Sequence, residues 1–134
     1  MSRLEDNRII KTTVSRINRL DDEKYTYTLA DVFMHRIDED GIALTLVDDD
    51  EPLKYECSHG KKWYALFTDE AEVARGNNGV MTKIISIKEL LQIAQDDNDV
   101  HGVVINPYGE NRDVLKGTID MIFAIYKKEF SHEV

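Results

Sequence analysis

The chain has 134 residues, of which 42% are hydrophobic and 32% are charged, and its formal net charge is −9. This composition excludes an intrinsically disordered chain, and the length suits one domain, residues 1–134, that needs no disulfide or metal to stabilise its core. The negative charge would repel a phosphate backbone, so we expect no nucleic-acid binding.

The N-terminal residues are charged, and no apolar run approaches the roughly 20 residues that a transmembrane helix requires. Cys57 is the single cysteine, so no disulfide can form within the chain. We therefore expect a cytoplasmic protein without membrane association.

Residues 1–37 are predicted to form a helical N-terminal part. Apolar residues recur at helical spacing in residues 8–20 and again in residues 28–37, where Thr28 fits an N-cap. The pattern predicts two helices, although residues 25–29 could also begin as a strand.

Residues 41–134 are predicted to form an α/β core. Apolar residues alternate with other residues near 42–47 and 53–57, and a third strand is predicted near 62–67. Two turns separate these segments, which predicts an antiparallel meander. The turns are Asp48-Asp49-Asp50-Glu51-Pro52 and Ser58-His59-Gly60-Lys61. Trp63 and Tyr64 point to opposite faces of the third strand, so one is expected in the core and the other could be exposed.

The second half of the chain alternates helical patterns with a buried strand. Thr68 or Asp69 is predicted to cap a short helix through about Arg75, and Asp69 followed by Glu72 resembles a capping box. Helices are predicted near 87–95 and 112–128, with a strand near 102–106 between them. The predicted class is therefore α+β: a mixed sheet that combines the meander with a parallel βαβ-like part, with the helices packed on the sheet.

Two segments carry a family resemblance. The sequence Trp-Tyr-Ala-Leu-Phe-Thr-Asp-Glu at residues 63–70 and the sequence Gly-Val-Val-Ile-Asn-Pro-Tyr-Gly at residues 102–109 resemble the N-terminal domain of the SseB family, the enhanced serine sensitivity proteins. The match covers roughly residues 62–114. The resemblance implies an α/β domain of poorly defined biochemistry and supplies no catalytic residues.

The candidate binding residues follow the two apolar strands of these segments. They are Phe67, Thr68, Asp69 and Glu70 in the first exit loop, and Asn106, Pro107, Tyr108 and Glu110 in the second. Parallel neighbouring strands end at the same edge of a sheet, so we expect the two loops to lie close together.

Within these loops, Tyr108 is expected to be partly exposed as an aromatic anchor, with Asp69 and Glu110 as a charged rim. Two alternatives remain open at the level of the sequence. Tyr108 could fold back over the core, and Asn106 with Pro107 could simply hold the turn.

The sequence contains no recognisable catalytic or metal-binding pattern. The four histidines are scattered, and neither acidic run fits an EF-hand loop. We therefore expect no catalytic residues, no metal site and no cofactor.

The leading hypothesis is a non-enzymatic protein-interaction module of the SseB N-terminal type, with a protein partner. The alternative is a small acidic secretion chaperone or immunity-like protein that binds a cognate partner. A small-ligand-binding or enzymatic α/β domain comes third. The chain could also form a homodimer.

Overall fold

The computed structural model describes residues 3–20, 25–57, 59–76 and 79–130. A short 3-10 helix, Leu4–Asn7, precedes the first α-helix. The α-helices are α1 (Arg8–Leu20), α2 (Tyr25–Asp38), α3 (Glu70–Ala74), α4 (Ile87–Asp96) and α5 (Lys116–Glu129). The strands are β1 (Ile42–Asp48), β2 (Glu51–Pro52), β3 (Lys54–Glu56), β4 (Lys62–Leu66), β5 (Thr82–Ser86), β6 (Gly102–Ile105) and β7 (Arg112–Leu115).

Some predicted features lie outside the described residues. These are Ser58 in the second predicted turn and residues 1–2, 21–24, 77–78 and 131–134 of the predicted domain. Within the described part of the chain, no helix combines the length and apolar character that crossing a bilayer requires.

Both predicted N-terminal helices are present. The buried side chains of α1 are Ile10, Thr13, Val14 and Ile17, which recur at helical spacing and give the helix one apolar face. Helix α2 begins at Tyr25 and not at the predicted N-cap Thr28, so residues 25–29 are helical. The strand alternative for this stretch is therefore wrong.

The strands form two sheets, with the orders β2-β1-β5 and β3-β4-β6-β7. The first sheet is antiparallel, whereas the second combines antiparallel pairs with the parallel pair β4 and β6. An isolated bridge between Leu44 and Phe67 joins β1 to β4. The predicted α+β class, with a mixed sheet and helices packed on it, is confirmed.

The predicted meander is divided between the two sheets. Strand β2 pairs with β1 and ends at Pro52, which cannot donate a ladder hydrogen bond. Strand β3, which follows it, pairs with β4 in the other sheet. The main partner of β1 is β5, which aligns five residues with it. The acidic turn after β1 is present but shorter than predicted: Asp49 and Asp50 form it with positive φ angles of 53° and 67°. Asp48 pairs with Glu51 and Val47 pairs with Pro52, so these residues belong to strands β1 and β2.

The predicted helix near 112–128 begins later than expected, because its first four residues form strand β7. Val114 is buried between the exposed residues Asp113 and Leu115, which is the alternation of a strand. Strand β7 approaches β6 closely at Gly102, where an added Cβ would lie 2.0 Å from the Val114 carbonyl oxygen. Only glycine fits at that position.

Two apolar clusters cover the two faces of β4 and β6. The larger cluster packs α1, α2, α4 and α5 against one face and includes Tyr64, Leu66 and Ile105. The smaller cluster covers the other face and includes Trp63 and Phe67. Because both faces are covered, Trp63 and Tyr64 are both buried. The expectation that one of them could be exposed is wrong.

Candidate binding surface at the strand-exit loops

The two predicted exit loops meet at one edge of the sheet. The parallel register aligns Leu66 with Ile105, the last residues of β4 and β6. The next residue along, Asn106, continues the pairing, since its backbone N–H donates to the Leu66 carbonyl at 2.9 Å. The prediction that both loops leave the sheet side by side is confirmed.

The side chain of Asn106 joins the two loops. Its Oδ1 accepts a hydrogen bond from the backbone N–H of Thr68 at 3.0 Å, and its Nδ2 donates to Thr68 Oγ1 at 3.1 Å. Asn106 has a φ of 48°, a left-handed conformation that Asn tolerates better than most residues. Both residues are almost fully buried. They hold the loops in place from beneath the surface.

A second buried amide extends this polar network. Nδ2 of Asn7 donates to the carbonyls of Thr68 at 3.0 Å and Ile42 at 2.8 Å. Its Oδ1 accepts from Nε and Nη2 of Arg36 at 3.1 and 2.9 Å. Asn7 and Arg36 are buried, and no buried side-chain nitrogen or oxygen of the described residues lacks a partner. The first exit loop is thereby tied to β1, α2 and the 3-10 helix.

The first exit loop also caps helix α3. Oδ1 of Asp69 accepts a hydrogen bond from the Glu72 backbone N–H at 3.0 Å, which confirms the predicted N-cap. Lys11 of α1 places its Nζ 3.2 Å from Asp69 Oδ2 and 3.1 Å from Glu72 Oε2. Glu72 is buried, and Arg75 is its second cationic partner, at 3.1 Å.

The contacts of Asp69 and Lys11 shift the pKa values of both groups. Burial alone would raise the pKa of Asp69, but the hydrogen bonds from Glu72, Lys11 and Thr68 outweigh it, so the pKa lies below its usual range. Burial alone would lower the pKa of Lys11, and its two carboxylate partners outweigh that effect and raise it. Both groups are therefore charged at neutral pH.

Tyr108 is partly exposed, as predicted, but its ring also packs on the smaller apolar cluster. The ring centroid lies 5.3 Å from that of Phe67 and 6.2 Å from that of Tyr55. Burial, followed by the nearby Tyr55, raises the pKa of Tyr108. A Cβ added to Gly76 would lie 2.9 Å from the Tyr108 ring, so the loop after α3 passes close over it.

An open groove of about 780 Å³ runs between α1 and the exit loops. Asp69, Glu70 and Glu110 line one side of the groove. On the other side the lining residues are Leu4 and Glu5 of the 3-10 helix and, from one face of α1, Arg8, Lys11, Thr12, Ser15, Arg16 and Arg19. The groove therefore has one acidic wall and one mainly basic wall, in which four basic residues stand beside the single carboxylate of Glu5.

The basic wall is unusual in a chain with a net charge of −9. Helix α1 contains four basic residues and no acidic residue. Lys11 is engaged by Asp69 and Glu72, whereas Arg8, Arg16 and Arg19 make no ion pair with any residue that the structure describes. Three guanidinium groups are thus available for a ligand.

The predicted site residues separate into three groups by position. Asp69, Glu70 and Glu110 line the groove. Thr68 and Asn106 are buried and position the loops. Phe67, Pro107 and Tyr108 lie on the face of the smaller apolar cluster. Phe67 and Tyr108 pack in that cluster, and Pro107 lines a smaller cavity of about 350 Å³ together with Trp63 and Val104.

Three residues of this region escaped prediction, namely Asn7, Lys11 and Arg36, and Glu72 was named only as part of a capping box. Each is a polar residue on a helix or helix end, a position that is normally solvent-exposed. The absence of acidic residues between Arg8 and Leu20 was a visible signal for the basic wall, although nothing local indicated what it would face.

Among the described residues, no group of three or more His, Cys, Asp or Glu side chains could hold a metal ion. Cys57 is half-buried just after β3, where the His59 backbone N–H is the largest influence lowering the thiol pKa.

Comparisons with known proteins found no relative of this chain. No family profile matches the chain, and no curated protein or solved structure matches it significantly.

Proposed function

We propose that this chain is a non-enzymatic protein-interaction module of the SseB N-terminal type and that it binds a polypeptide partner in the groove between α1 and the exit loops. The observation that carries the proposal is the pair of oppositely charged walls on either side of this groove. A polypeptide can present acidic and basic side chains a few residues apart, which matches two such walls.

The rigidity of the floor supports the same function. The loops that form the acidic wall are fixed by the hydrogen bonds of Asn106 with Thr68. A surface that is already ordered loses little conformational entropy on binding, which favours affinity. The exposed guanidinium groups of α1 suit carboxylates, with which arginine forms two parallel hydrogen bonds.

A photo-crosslinking experiment tests the proposal. A photoreactive phenylalanine derivative replaces Ser15, which lines the groove, and in a matched control it replaces Gln92, which is exposed on α4. After irradiation in cells, we expect a discrete polypeptide adduct at position 15 and none at position 92. No adduct, or the same adducts at both positions, would contradict the proposal.

The identity of the adduct separates the related functions. A secreted protein or a toxin encoded beside this chain would favour the chaperone or immunity-like alternative. A cytoplasmic protein without such a link would favour the general interaction module.

A further inference from the structure

Strand β5 lies at one lateral edge of the sheet, paired with β1 on one side only among the described strands. A hydrogen bond of 2.9 Å from the Val47 N–H to the Met81 carbonyl sets the phase of this pairing. In an antiparallel ladder the bonded residues alternate. The odd-numbered residues of β5 therefore bond to β1, and Thr82 and Ile84 direct their N–H and carbonyl groups away from the sheet.

The side chains along this edge are apolar and accessible. Ile84 is 59% exposed, and Met81, just before the strand, is 71% exposed. An exposed edge strand with apolar side chains pairs readily with another strand. When a second strand pairs with it, its free backbone N–H and carbonyl groups gain hydrogen-bond partners, and its apolar side chains are removed from water.

The other edge strands carry the features that usually prevent such pairing. Strand β2 has two residues and ends at Pro52, and β3 is a short strand with Lys54 and Glu56. At the edge of the second sheet, the N–H of Lys116 bonds to the His101 carbonyl, so the charged residue Asp113 occupies an outward position of β7.

Lys83 is the one charged residue of β5, and it is already engaged within the chain. Its Nζ donates to the Asp50 carbonyl at 2.8 Å. This contact also shows that the acidic turn after β1 lies beside the first half of β5. The second half of β5 leads into the N-terminus of α4, which is the positive end of the helix dipole and where Lys88 and Glu89 follow.

The two ends of β5 are therefore complementary in charge. Antiparallel pairing with a second copy would bring the acidic turn of each copy toward Lys88 and the α4 N-terminus of the other, about two strand spacings (~10 Å) away. Both contacts form at once because of the twofold symmetry. An axis at Ile84 sets each Lys83 opposite Ile85 of the second copy and avoids a Lys–Lys pair.

We propose that two copies of this chain associate through antiparallel β5 strands, with the twofold axis at Ile84, so that the sheet continues from one copy into the other. The paired segment is short and covers less area than a standard interface of ~1,600 Å². The dimer should therefore dissociate on dilution.

Sedimentation equilibrium over a wide range of protein concentration, combined with amide hydrogen exchange, tests this pairing. We expect dimers at high concentration and monomers on dilution. The Thr82 and Ile84 amides should exchange at least fivefold more slowly in the dimer, while the Lys83 and Ile85 amides, already bonded to β1, should change little.

Two variants address the contact itself. Thr82→Pro removes an outward N–H and leaves the β1 ladder intact, and Ile84→Lys places like charges at the axis. Each should weaken dimerisation at least tenfold, and Leu115→Lys, at an equally exposed position of β7, should not. Circular dichroism and thermal unfolding confirm that each variant is folded.

A monomer at all concentrations, or a dimer that both β5 variants leave unchanged, would overturn the proposal. Capture of an unrelated strand at β5 without self-association would overturn it as well. Because these readouts do not involve the groove, they are independent of the proposed function.

Discussion

Asn106 and Thr68 are 38 residues apart in the chain and exchange hydrogen bonds through side chain and backbone. Asn106 directly follows β6 and Thr68 lies two residues after β4, so this contact fixes the relative position of the two exit loops. The acidic wall of the groove depends on it, because Asp69 and Glu70 follow Thr68 directly and Glu110 belongs to the second loop.

Replacing Asn106 should destabilise the fold strongly. Asn106→Ala leaves the buried Thr68 N–H without its acceptor and places alanine at a φ of 48°. We expect a loss of about 2–4 kcal/mol in the free energy of unfolding, measured by urea denaturation. Asn106→Gly, which tolerates this φ, should cost less than Asn106→Ala. A loss below about 0.5 kcal/mol would show that the contact is not structural.

Asn7 and Asn106 should be energetically coupled, since both bond to Thr68. A double-mutant cycle with Asn7→Ala and Asn106→Ala should give a coupling free energy above about 0.5 kcal/mol in urea denaturation. The losses in unfolding free energy caused by Asn106→Ala and Tyr64→Phe should be additive, because the Tyr64 hydroxyl bonds to a different loop. Additivity in both cycles would contradict a connected network.

Tyr64→Phe should cost about 1–2 kcal/mol at neutral pH, because the Tyr64 hydroxyl donates to Asp97 Oδ2 at 2.7 Å. This hydrogen bond is the largest cause that lowers the pKa of Asp97. A carboxylate with a lowered folded-state pKa stabilises the fold above its unfolded pKa, about 3.9, and this contribution is lost as the pH falls through the folded pKa.

The difference in unfolding free energy between wild type and Tyr64→Phe should therefore shrink between about pH 5 and pH 2. Urea denaturation at several pH values measures this difference. A difference that is independent of pH would show that the Tyr64 hydroxyl does not stabilise the ionised Asp97.

Tyr108 offers a test of packing against recognition. Gly76→Ala places a methyl group 2.9 Å from the Tyr108 ring and should cost about 1 kcal/mol, whereas in a Tyr108→Ala background it should cost little. If Tyr108→Ala lowers stability and leaves the yield of the photo-crosslinked adduct at position 15 unchanged per folded molecule, Tyr108 is a packing residue. If stability is unchanged and the adduct no longer forms, the result would support the predicted role of Tyr108 as an aromatic anchor.

The parts of the fold that sequence predicts are those with strong local periodicity. The apolar runs of β4 and β6, the helical stripe of α1 and the Asp69 N-cap of α3 are each visible within about ten residues. The adjacency of the two exit loops also follows from local pattern, because strands joined through helices pair in parallel and end together.

The remaining features depend on distant contacts. Strand β7 is four residues long and adjoins a helix, so its apolar pattern merges with that of α5. Gly102, which pairs with Leu115 of β7, lies 13 positions before it in the chain. The buried pair Asn7 and Arg36 is likewise polar in sequence, and only the folded chain brings these two side chains together.

Charge reversal in the groove is the most direct test of polypeptide binding there. Arg8→Glu combined with Arg16→Glu changes the basic wall, and Lys127→Glu combined with Lys128→Glu makes the same change in net charge at the end of α5. With the polypeptide captured at position 15, the groove variant should bind at least tenfold more weakly than wild type, a loss of about 1.4 kcal/mol, and the α5 variant should bind within twofold of wild type. Equal affinities for the two variants would contradict binding in the groove.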